Sequence, residues 1–164
     1  MQRRGKLTRR VVLRWLALLT GSGLVSLAMA GCRDSETQEA LSLEIACDGN
    51  NLAFDKTTLT IPAGQLVRLT FSNVSTTFQH NWVLVAGGEE VAERVNQAAT
   101  AAGPRLNYVP ADKSLILAYT KLITPGVSDT ISFTAPEEAG QYSYLCTFPG
   151  HYLAGMKGVL AVTA

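Results

Sequence analysis

From Leu41 onward the chain is built of short runs in which hydrophobic and polar residues alternate. The first run ends at a turn sequence, Asp-Gly-Asn-Asn at 48–51, and has its hydrophobic positions at Leu41, Leu43, Ile45 and Cys47. Strict alternation of this kind is typical of a half-buried β-strand. Further strands are predicted at 53–61, around 67–71, at 81–85, around 115–119, at 129–134, at 141–146 and at 157–163.

One segment departs from this pattern and has the period of a helix. Glu89 and Glu90 begin it, which suits the positive end of a helix dipole, and Gly103-Pro104 ends it. Its hydrophobic residues share one helical face, which we expect to be Val91, Val95, Ala98 and Ala102. The sequence therefore predicts an all-β fold, a Greek-key β-sandwich of seven or eight strands with one inserted helix at 89–102.

The first 31 residues have the organisation of an export signal. All six charged residues of this stretch are basic and lie within 1–14, and an apolar run of 16 residues follows at 15–30. A membrane-spanning helix needs about 20 apolar residues, so this run is shorter than a membrane span. We therefore predict a signal peptide at 1–31, a polar tether at 32–40 and one domain at 41–164.

The signal leaves alternatives open for its export route and its cleavage. Arg9-Arg10 resembles a twin-arginine motif, and a Sec-type signal is the alternative. The segment 28–30, Ala-Met-Ala, fits ordinary signal peptidase, whereas 29–32, Met-Ala-Gly-Cys, resembles a bacterial lipobox that would leave Cys32 acylated. An uncleaved anchor is a third alternative. We favour the lipoprotein, which predicts an exported, periplasmic protein anchored at the outer face of the cytoplasmic membrane.

The charge of the chain changes sign once the signal is removed. All 13 Asp and Glu but only 8 of the 14 Lys and Arg lie after Cys32, so the exported part is acidic although the whole chain has a formal charge of +1. An acidic domain lacks the overall basic surface that binds nucleic acid or anionic lipid. We therefore expect no nucleic-acid partner and attribute membrane association to the N-terminal anchor.

The three cysteines are expected to have different roles. Cys32 is the lipidation site of the favoured interpretation, and Cys146 lies among metal-binding residue types. Cys47 lies on the hydrophobic side of the first strand, so we predict a buried, inert thiol. If Cys32 is not acylated, a Cys32–Cys47 disulfide is the alternative, because an exported protein meets an oxidising environment.

The loop between the last two strands indicates a metal site. Cys146, His151 and Met156 lie within 11 residues there, and the only other histidine of the chain is His80. Two imidazoles, a thiolate and a thioether are the ligand set of a trigonal copper centre with a weak axial methionine, the blue-copper electron-transfer site. A structural zinc site instead uses four strong Cys or His ligands. We predict one copper ion, as Cu(I) or Cu(II), bound by these four residues.

The same segments carry a family resemblance. Cys-Thr-Phe-Pro-Gly-His at 146–151, Met-Lys-Gly at 156–158 and His-Asn-Trp-Val-Leu at 80–84 resemble the cupredoxins, the type 1 blue copper proteins, and especially the azurins. The loop from His151 to Met156 is one residue longer than in azurins. This loop, the tethered N-terminus and the lack of azurin's disulfide resemble the auracyanins, membrane-associated members from filamentous anoxygenic phototrophs. The resemblance extends over residues 41–164.

The resemblance implies a role for each residue of the site. The two histidines and the cysteine would be the equatorial ligands, and the methionine the axial one. Asn81 would brace the ligand loop through Thr147, and hydrogen bonds of this kind tune a metal site; capping the end of a strand is its alternative role. Gln79 stands where azurins have a glycine whose carbonyl lies near the copper.

The resemblance also implies a surface for electron transfer. His151 would be the port, with Phe148, Pro149, Tyr152 and Leu153 around its outer edge. An exposed apolar patch suits brief docking with redox partners, whose interfaces are small. The alternative is that these side chains pack against the helix or the tether.

These expectations favour an electron carrier over two other classes of protein. The resemblance implies transfer from a membrane-bound quinol-oxidising complex to a cytochrome c, a reaction-centre cytochrome or a terminal oxidase, in a photosynthetic or respiratory chain. A copper chaperone or storage protein would need exposed thiolates or methionine clusters, and Met156 is the only methionine beyond the signal. An electron-donor domain of a copper oxidoreductase would need further histidines. We expect an electron-transfer protein and not an enzyme.

Overall fold

A computed structural model describes residues 39–164 of the chain. The predicted signal peptide, the lipobox and Cys32 lie outside the described residues. Within this range no helix is both long enough and apolar enough to cross a membrane. In chain order the elements are β1 (Leu41–Ala46), β2 (Thr58–Pro62), β3 (Leu66–Ser72), β4 (Val83–Val85), α1 (Glu89–Ala102), a 3₁₀ turn (Pro104–Leu106), β5 (Ile116–Tyr119), β6 (Ser128–Thr134), β7 (Gly140–Leu145) and β8 (Lys157–Thr163).

The strands form two sheets that enclose a common core. One sheet has the order β1-β3-β6 and the other the order β2-β8-β7-β4-β5. The pairs β1/β3 and β2/β8 are parallel, and the remaining pairs are antiparallel. Strands that are neighbours in a sheet are often distant in sequence, as in Greek-key folds. The predicted all-β sandwich with one inserted helix is confirmed.

The core between the sheets is formed by the alternating hydrophobic positions of the strands. In β3, Val67, Leu69 and Phe71 are fully buried, whereas Arg68 between them is exposed. Burying a side chain of this size contributes roughly 1.5–3 kcal/mol. The core also contains Ile45, Ile61, Trp82, Leu84, Phe133, Tyr144, Leu160 and Val162.

β4 is buried on both of its faces, and this sets the position of the helix. Leu84 packs into the core between the sheets. Val83 and Val85 point the other way and pack with Val95 of α1 and Leu145 of β7. The helix therefore covers the outer face of the five-stranded sheet beside the end of β7.

The helix has the predicted bounds, but its buried face differs from the prediction. The buried residues are Ala92, Val95 and Ala99. The predicted face through Ala98 and Ala102 was wrong, because Ala98 is exposed and Ala102 only half-buried. Alanines allow a helix to approach a sheet closely, and hydrophobic spacing alone does not separate this face from the neighbouring one.

The segment 53–61, predicted as one extended stretch, is divided in two. Phe54 forms an isolated bridge with Cys47, and β2 begins several residues later. Between them the Asp55 carboxylate accepts a hydrogen bond from the Ala46 N–H at 2.8 Å. This bond from side chain to backbone ends the first extended part. Cys47 itself is a buried free thiol, as predicted.

The pairing of Tyr144 with Gly158 gives a testable prediction about the core. The two residues are direct partners in β7 and β8, and the Tyr144 ring is fully buried. A Cβ added at Gly158 would lie 2.3 Å from the ring, so Gly158→Ala must displace it. We expect the free energy of unfolding to fall by about 1–3 kcal/mol, measured by denaturant titration of the apoproteins.

Gly140→Ala in β7 is the matched control. A Cβ at Gly140 would meet Tyr142 at an ordinary contact distance of 3.8 Å. Equal losses of stability in the two variants would show that the Tyr144 ring does not occupy the space above Gly158.

Candidate metal centre

Three of the four predicted ligands lie in the loop that joins β7 to β8. Cys146 directly follows β7 and Met156 directly precedes β8, so the antiparallel strands bring the two ends of the loop together. The Cys146 N–H donates to the Met156 carbonyl at 3.1 Å, and the Met156 N–H donates to the His151 carbonyl at 3.0 Å. The backbone itself therefore gathers all three residues at one end of the sandwich.

Two glycines allow this loop to fold back on itself. Gly150 and Gly155 have φ angles of 85° and 107°, a region that residues with a side chain rarely adopt. The His151 N–H donates to the Phe148 carbonyl at 3.1 Å, which closes the turn predicted at Pro149-Gly150. This turn returns the His151 side chain toward Cys146.

His80 reaches the loop from the segment that leads into β4. Its N–H donates to the Ile123 carbonyl at 3.1 Å, and the Ile123 N–H donates to the His80 carbonyl at 2.9 Å. β4 in turn pairs with β7, so His80 and Cys146 lie at the same end of the sheet. Gln79 is half-buried before it, and the approach of the Gln79 carbonyl to copper stays a prediction.

The four predicted ligands meet in one buried group. The Cys146 sulfur lies 3.4 Å from His151 Nδ1 and 3.8 Å from His80 Nδ1. The centres of the two imidazole rings are 4.8 Å apart. Met156 is fully buried and belongs to the same packed cluster as Cys146. One thiol, two imidazoles and a thioether therefore share a site that is shielded from bulk solvent.

Burial disfavours the charged form of each titratable donor. It raises the pKa of the Cys146 thiol to about 12. Burial, and then repulsion from His151, lowers the pKa of His80 to about 4, and burial also lowers the pKa of His151. Both imidazoles are therefore neutral, and the buried thiol ionises only when a positive charge lies beside it. This donor set suits a soft or borderline metal cation.

Hydrogen bonds hold the sulfur and the loop in place. The backbone N–H groups of Asn81 and Phe148 bond to the Cys146 sulfur and oppose the rise of its pKa. The Asn81 side chain accepts from the Thr147 N–H at 2.9 Å and donates to Thr147 Oγ1 at 2.8 Å. Asn81 thus links the His80 segment to the ligand loop, as predicted, and is not merely a cap of a strand.

Tyr108 is a residue of the site that the sequence did not reveal. Its carbonyl accepts a hydrogen bond from Thr147 Oγ1 at 2.7 Å, and its ring lies 5.2 Å from the ring of Phe148. Asn107 and Tyr108 both have a φ of 53°, in the left-handed region. No pattern in the mixed segment 105–122 indicates this turn, because its partner Thr147 is remote in the chain.

Aromatic and apolar side chains cover the outer side of His151, which is only 3% exposed. Phe148 lies 4.7 Å from it between ring centres, Pro149 is exposed and Leu153 is 82% exposed. Phe78, which the sequence analysis missed, lies 5.8 Å from the same ring and is itself exposed. A hydrophobic residue two positions before His80 is the signal that could have found it. We name Phe78, Phe148, Pro149 and Leu153 the apolar surface.

Tyr152 does not belong to this surface, so its prediction was wrong. It is 5% exposed and packs against α1. Its hydroxyl donates to Glu89 Oε1 at 2.7 Å, and the Lys157 ammonium lies 5.0 Å from the centre of its ring. The side chains of His151 and Tyr152 point to opposite sides of the loop, which places Tyr152 under the helix.

A two-sheet sandwich with two histidines, a cysteine and a methionine buried together at one end defines a blue copper protein. Residues 41–163 match the copper binding proteins of the plastocyanin/azurin family, and the chain belongs to this family. Its cofactor is copper, and His80, Cys146, His151 and Met156 form the type 1 site.

The relatives that resemble this chain are auracyanins and azurins. Auracyanin-A of Chloroflexus aurantiacus is 43% identical over 164 residues, which cover 96% of this chain and 99% of that protein. The structure of dithionite-reduced auracyanin from Roseiflexus castenholzii has a TM-score of 0.73 and 51% identity, covering 76% of this chain and 98% of that one. The structure of auracyanin A from Chloroflexus aurantiacus has a TM-score of 0.72 and 48% identity, covering 76% and 100%.

Proposed function

We propose that this protein carries single electrons between membrane-bound redox complexes at the outer face of the cytoplasmic membrane. Its donor is a quinol-oxidising complex, and its acceptor is a cytochrome c or a reaction-centre cytochrome. The observation that carries the proposal is the Cys146 sulfur held between two imidazoles, buried directly beneath the apolar surface. Copper at this site supplies a one-electron couple, Cu(I)/Cu(II).

The protein's own contribution is to fix the donors so that little has to move when the charge of the ion changes. The ligand loop is held by hydrogen bonds between protein groups, namely those within 146–156 and the Asn81–Thr147 pair. Burial excludes water, whose reorientation would otherwise accompany each transfer. Both effects favour fast electron exchange.

The point where the chain enters the domain supports an anchored carrier. Leu41 pairs with Val67 at the start of β3, whereas the end of β3 at Ser72 leads into the segment that carries His80. A tether attached before Leu41 therefore joins the end of the sandwich remote from the ligands.

The relatives support a photosynthetic setting and a carrier instead of an enzyme. The Roseiflexus castenholzii and Chloroflexus aurantiacus auracyanins are described as proteins of photosynthetic bacteria, and the latter as a blue copper protein. Azurins resemble this chain over about half of its length, for example 39% identity over 85 residues for the Pseudomonas aeruginosa protein.

Optical and electron-paramagnetic-resonance spectra of the copper-loaded protein test the proposal. We expect intense visible absorption from charge transfer between thiolate and Cu(II), and reversible bleaching by one electron per chain. A colourless protein with weakly held copper would contradict it and favour a chaperone or storage role. Turnover of a substrate by the copper-loaded protein alone would favour an oxidoreductase.

The N-terminus needs a separate experiment. We expect mass spectrometry of protein from its native membrane to show acylated Cys32, and Cys32→Ser to move the protein to the soluble fraction with its colour intact. An N-terminus at Gly31, or a disulfide between Cys32 and Cys47, would contradict the lipid anchor without affecting the copper site.

Met156→Leu tests the axial ligand. The variant retains the colour, because the thiolate is unchanged, and its reduction potential rises because a weak donor to Cu(II) is lost. We expect a rise on the order of 60 mV, about a tenfold preference for Cu(I), measured by voltammetry. Leu160→Met, an equally small change in the buried part of β8, is the control. An unchanged potential in Met156→Leu would remove Met156 from the ligand set.

A further inference from the structure

A cleft with three basic side chains lies beside the copper end of this acidic domain. It measures about 320 Å³, and Arg105, Lys113 and Lys121 contribute its charge. Within residues 39–164 none of the three forms an ion pair, whereas Lys56 and Lys157 pair with Asp55 and Glu89 and are not part of it. The other lining residues are Leu106, Asn107, Val109, Tyr119 and Thr120.

Two nearby carboxylates, those of Asp112 and Asp129, reduce the positive charge of this cleft without cancelling it. Asp112 accepts a hydrogen bond from the Ser114 N–H at 2.8 Å, and Asp129 accepts from the Lys121 backbone N–H at 2.9 Å. Neither of them lines the cleft, although Asp112 interacts electrostatically with Lys113. Lys113 is held over the Tyr119 ring, 5.2 Å from its centre. The Lys113 ammonium also donates to the Pro110 carbonyl, so the side chains of Arg105 and Lys121 carry most of the available positive charge of the cleft, beside the amide of Asn107, on a domain that is otherwise acidic.

Two chain segments connect the cleft to the copper site. Asn107 and Val109 flank Tyr108, which is bonded to Thr147 and packs on Phe148 of the apolar surface. On its other side, Lys121 precedes Ile123, the residue that pairs with His80. A molecule that contacts the cleft and the apolar surface together would come close to the ligands.

A protein partner fits this position better than a lipid surface does. The cleft adjoins the copper end through Tyr108, which contacts Thr147 and Phe148. A protein that exchanges electrons with the copper site has to approach this end of the sandwich, so its carboxylates can reach the cleft while its redox group lies near the apolar surface. Charge near an electron-transfer surface mainly selects partners and speeds encounter.

We propose that the cleft formed by Arg105, Lys113 and Lys121 binds carboxylate side chains of an acidic electron-transfer partner and sets the orientation in which that partner meets the apolar surface. The proposal rests on the electron-carrier function. The cleft fixes which partner docks, and the apolar surface brings its redox group near His151.

Two double variants with the same change in net charge test whether electron transfer depends on charge in the cleft or on the net charge of the whole domain. Arg105→Glu/Lys121→Glu alters the cleft, and Arg68→Glu/Arg94→Glu makes the same change in net charge on β3 and α1. Arg105 and Lys121 are exposed and their side chains have no hydrogen-bond or ion-pair partner within residues 39–164, so the exchange breaks no contact. The probe is oxidation of the Cu(I) protein by hexacyanoferrate(III), which takes one electron and becomes hexacyanoferrate(II).

We expect the cleft variant to react at least about fivefold more slowly than the control variant at an ionic strength of about 10 mM, where charges act over about 30 Å. The difference should vanish at about 1 M salt and reverse with a cationic oxidant, tris(phenanthroline)cobalt(III). Equal slowing of both variants would overturn the proposal. Absence of colour in the copper-loaded unmodified protein would instead reject the copper carrier itself.

Competition distinguishes a protein partner from other anions. We expect a hexaglutamate peptide to slow the hexacyanoferrate(III) reaction of the unmodified protein and to leave the cleft variant unaffected. Inorganic phosphate at the same total charge should compete less. Equal competition by phosphate would indicate a site for small anions, and selective competition by phosphatidylglycerol vesicles would indicate a headgroup site. Either result would overturn the proposal.

Discussion

Cys146→Ser abolishes the intense visible absorption of the copper-loaded protein while the fold is retained. The Cys146 sulfur lies close to both imidazoles, 3.4 Å from His151 Nδ1 and 3.8 Å from His80 Nδ1. The colour of a type 1 site comes from charge transfer out of a thiolate, which a serine oxygen cannot provide. We expect essentially complete loss of the band, measured by absorption spectroscopy after loading with Cu(II).

Cys47→Ser is the control for this experiment. Cys47 is also buried, and its sulfur donates to Asn73 Oδ1 at 3.3 Å, a bond that a serine hydroxyl can replace. The control should keep the full colour. If Cys47→Ser lost the band and Cys146→Ser kept it, the assignment of the thiolate ligand would be wrong.

Asn73→Leu destabilises the domain by about 3–5 kcal/mol and disturbs the copper site as well. Asn73 is 1% exposed, and its side chain makes four hydrogen bonds. It accepts from the Ser75 N–H and the Cys47 thiol, and it donates to the carbonyls of Phe78 and Ile123 at 2.8 and 3.0 Å. Leucine would leave buried polar groups without a partner.

Asn73 also influences the copper ligands, because the two carbonyls that accept its hydrogen bonds, those of Phe78 and Ile123, belong to residues beside the ligands. Phe78 belongs to the apolar surface, and Ile123 exchanges two backbone hydrogen bonds with His80. We therefore expect Asn73→Leu to alter the copper hyperfine splitting in the electron-paramagnetic-resonance spectrum, besides lowering the denaturant midpoint. Asn51→Leu, at an exposed turn, should change stability by no more than about 0.5 kcal/mol. A spectrum identical to that of the unmodified protein would confine the role of Asn73 to stability.

The parts of the fold that the sequence predicted are those with a local signal. Alternation located Val67, Leu69 and Phe71 in the core, and the flanking glycines and acidic residues located the bounds of α1. The ligand loop 146–156 was equally accessible because its residues are close in the chain. His80 was found through the scarcity of histidine and the family resemblance.

The features that escaped prediction depend on contacts between remote segments. Tyr152 lies under α1 because Glu89, more than sixty residues earlier, accepts its hydroxyl. Tyr108 belongs to the site because its carbonyl accepts a hydrogen bond from Thr147, which is remote in the chain. Ala92 and Ala99 are buried because the helix packs against strands that are also remote in the chain. Hydrophobic spacing carries no information on which of two adjacent loop residues turns inward. The packing of α1 against the loop decides which of the two side chains, His151 or Tyr152, lies under the helix.

The aromatic cover of the ligands has a consequence for how the metal is acquired. With His80, Cys146 and Met156 fully buried and His151 beneath Phe78 and Phe148, a hydrated ion has no direct route to the sulfur. Those two rings have to swing aside before copper can enter. Uptake by the folded apoprotein should therefore reach a plateau rate, set by the opening of the rings, as the supply of copper increases.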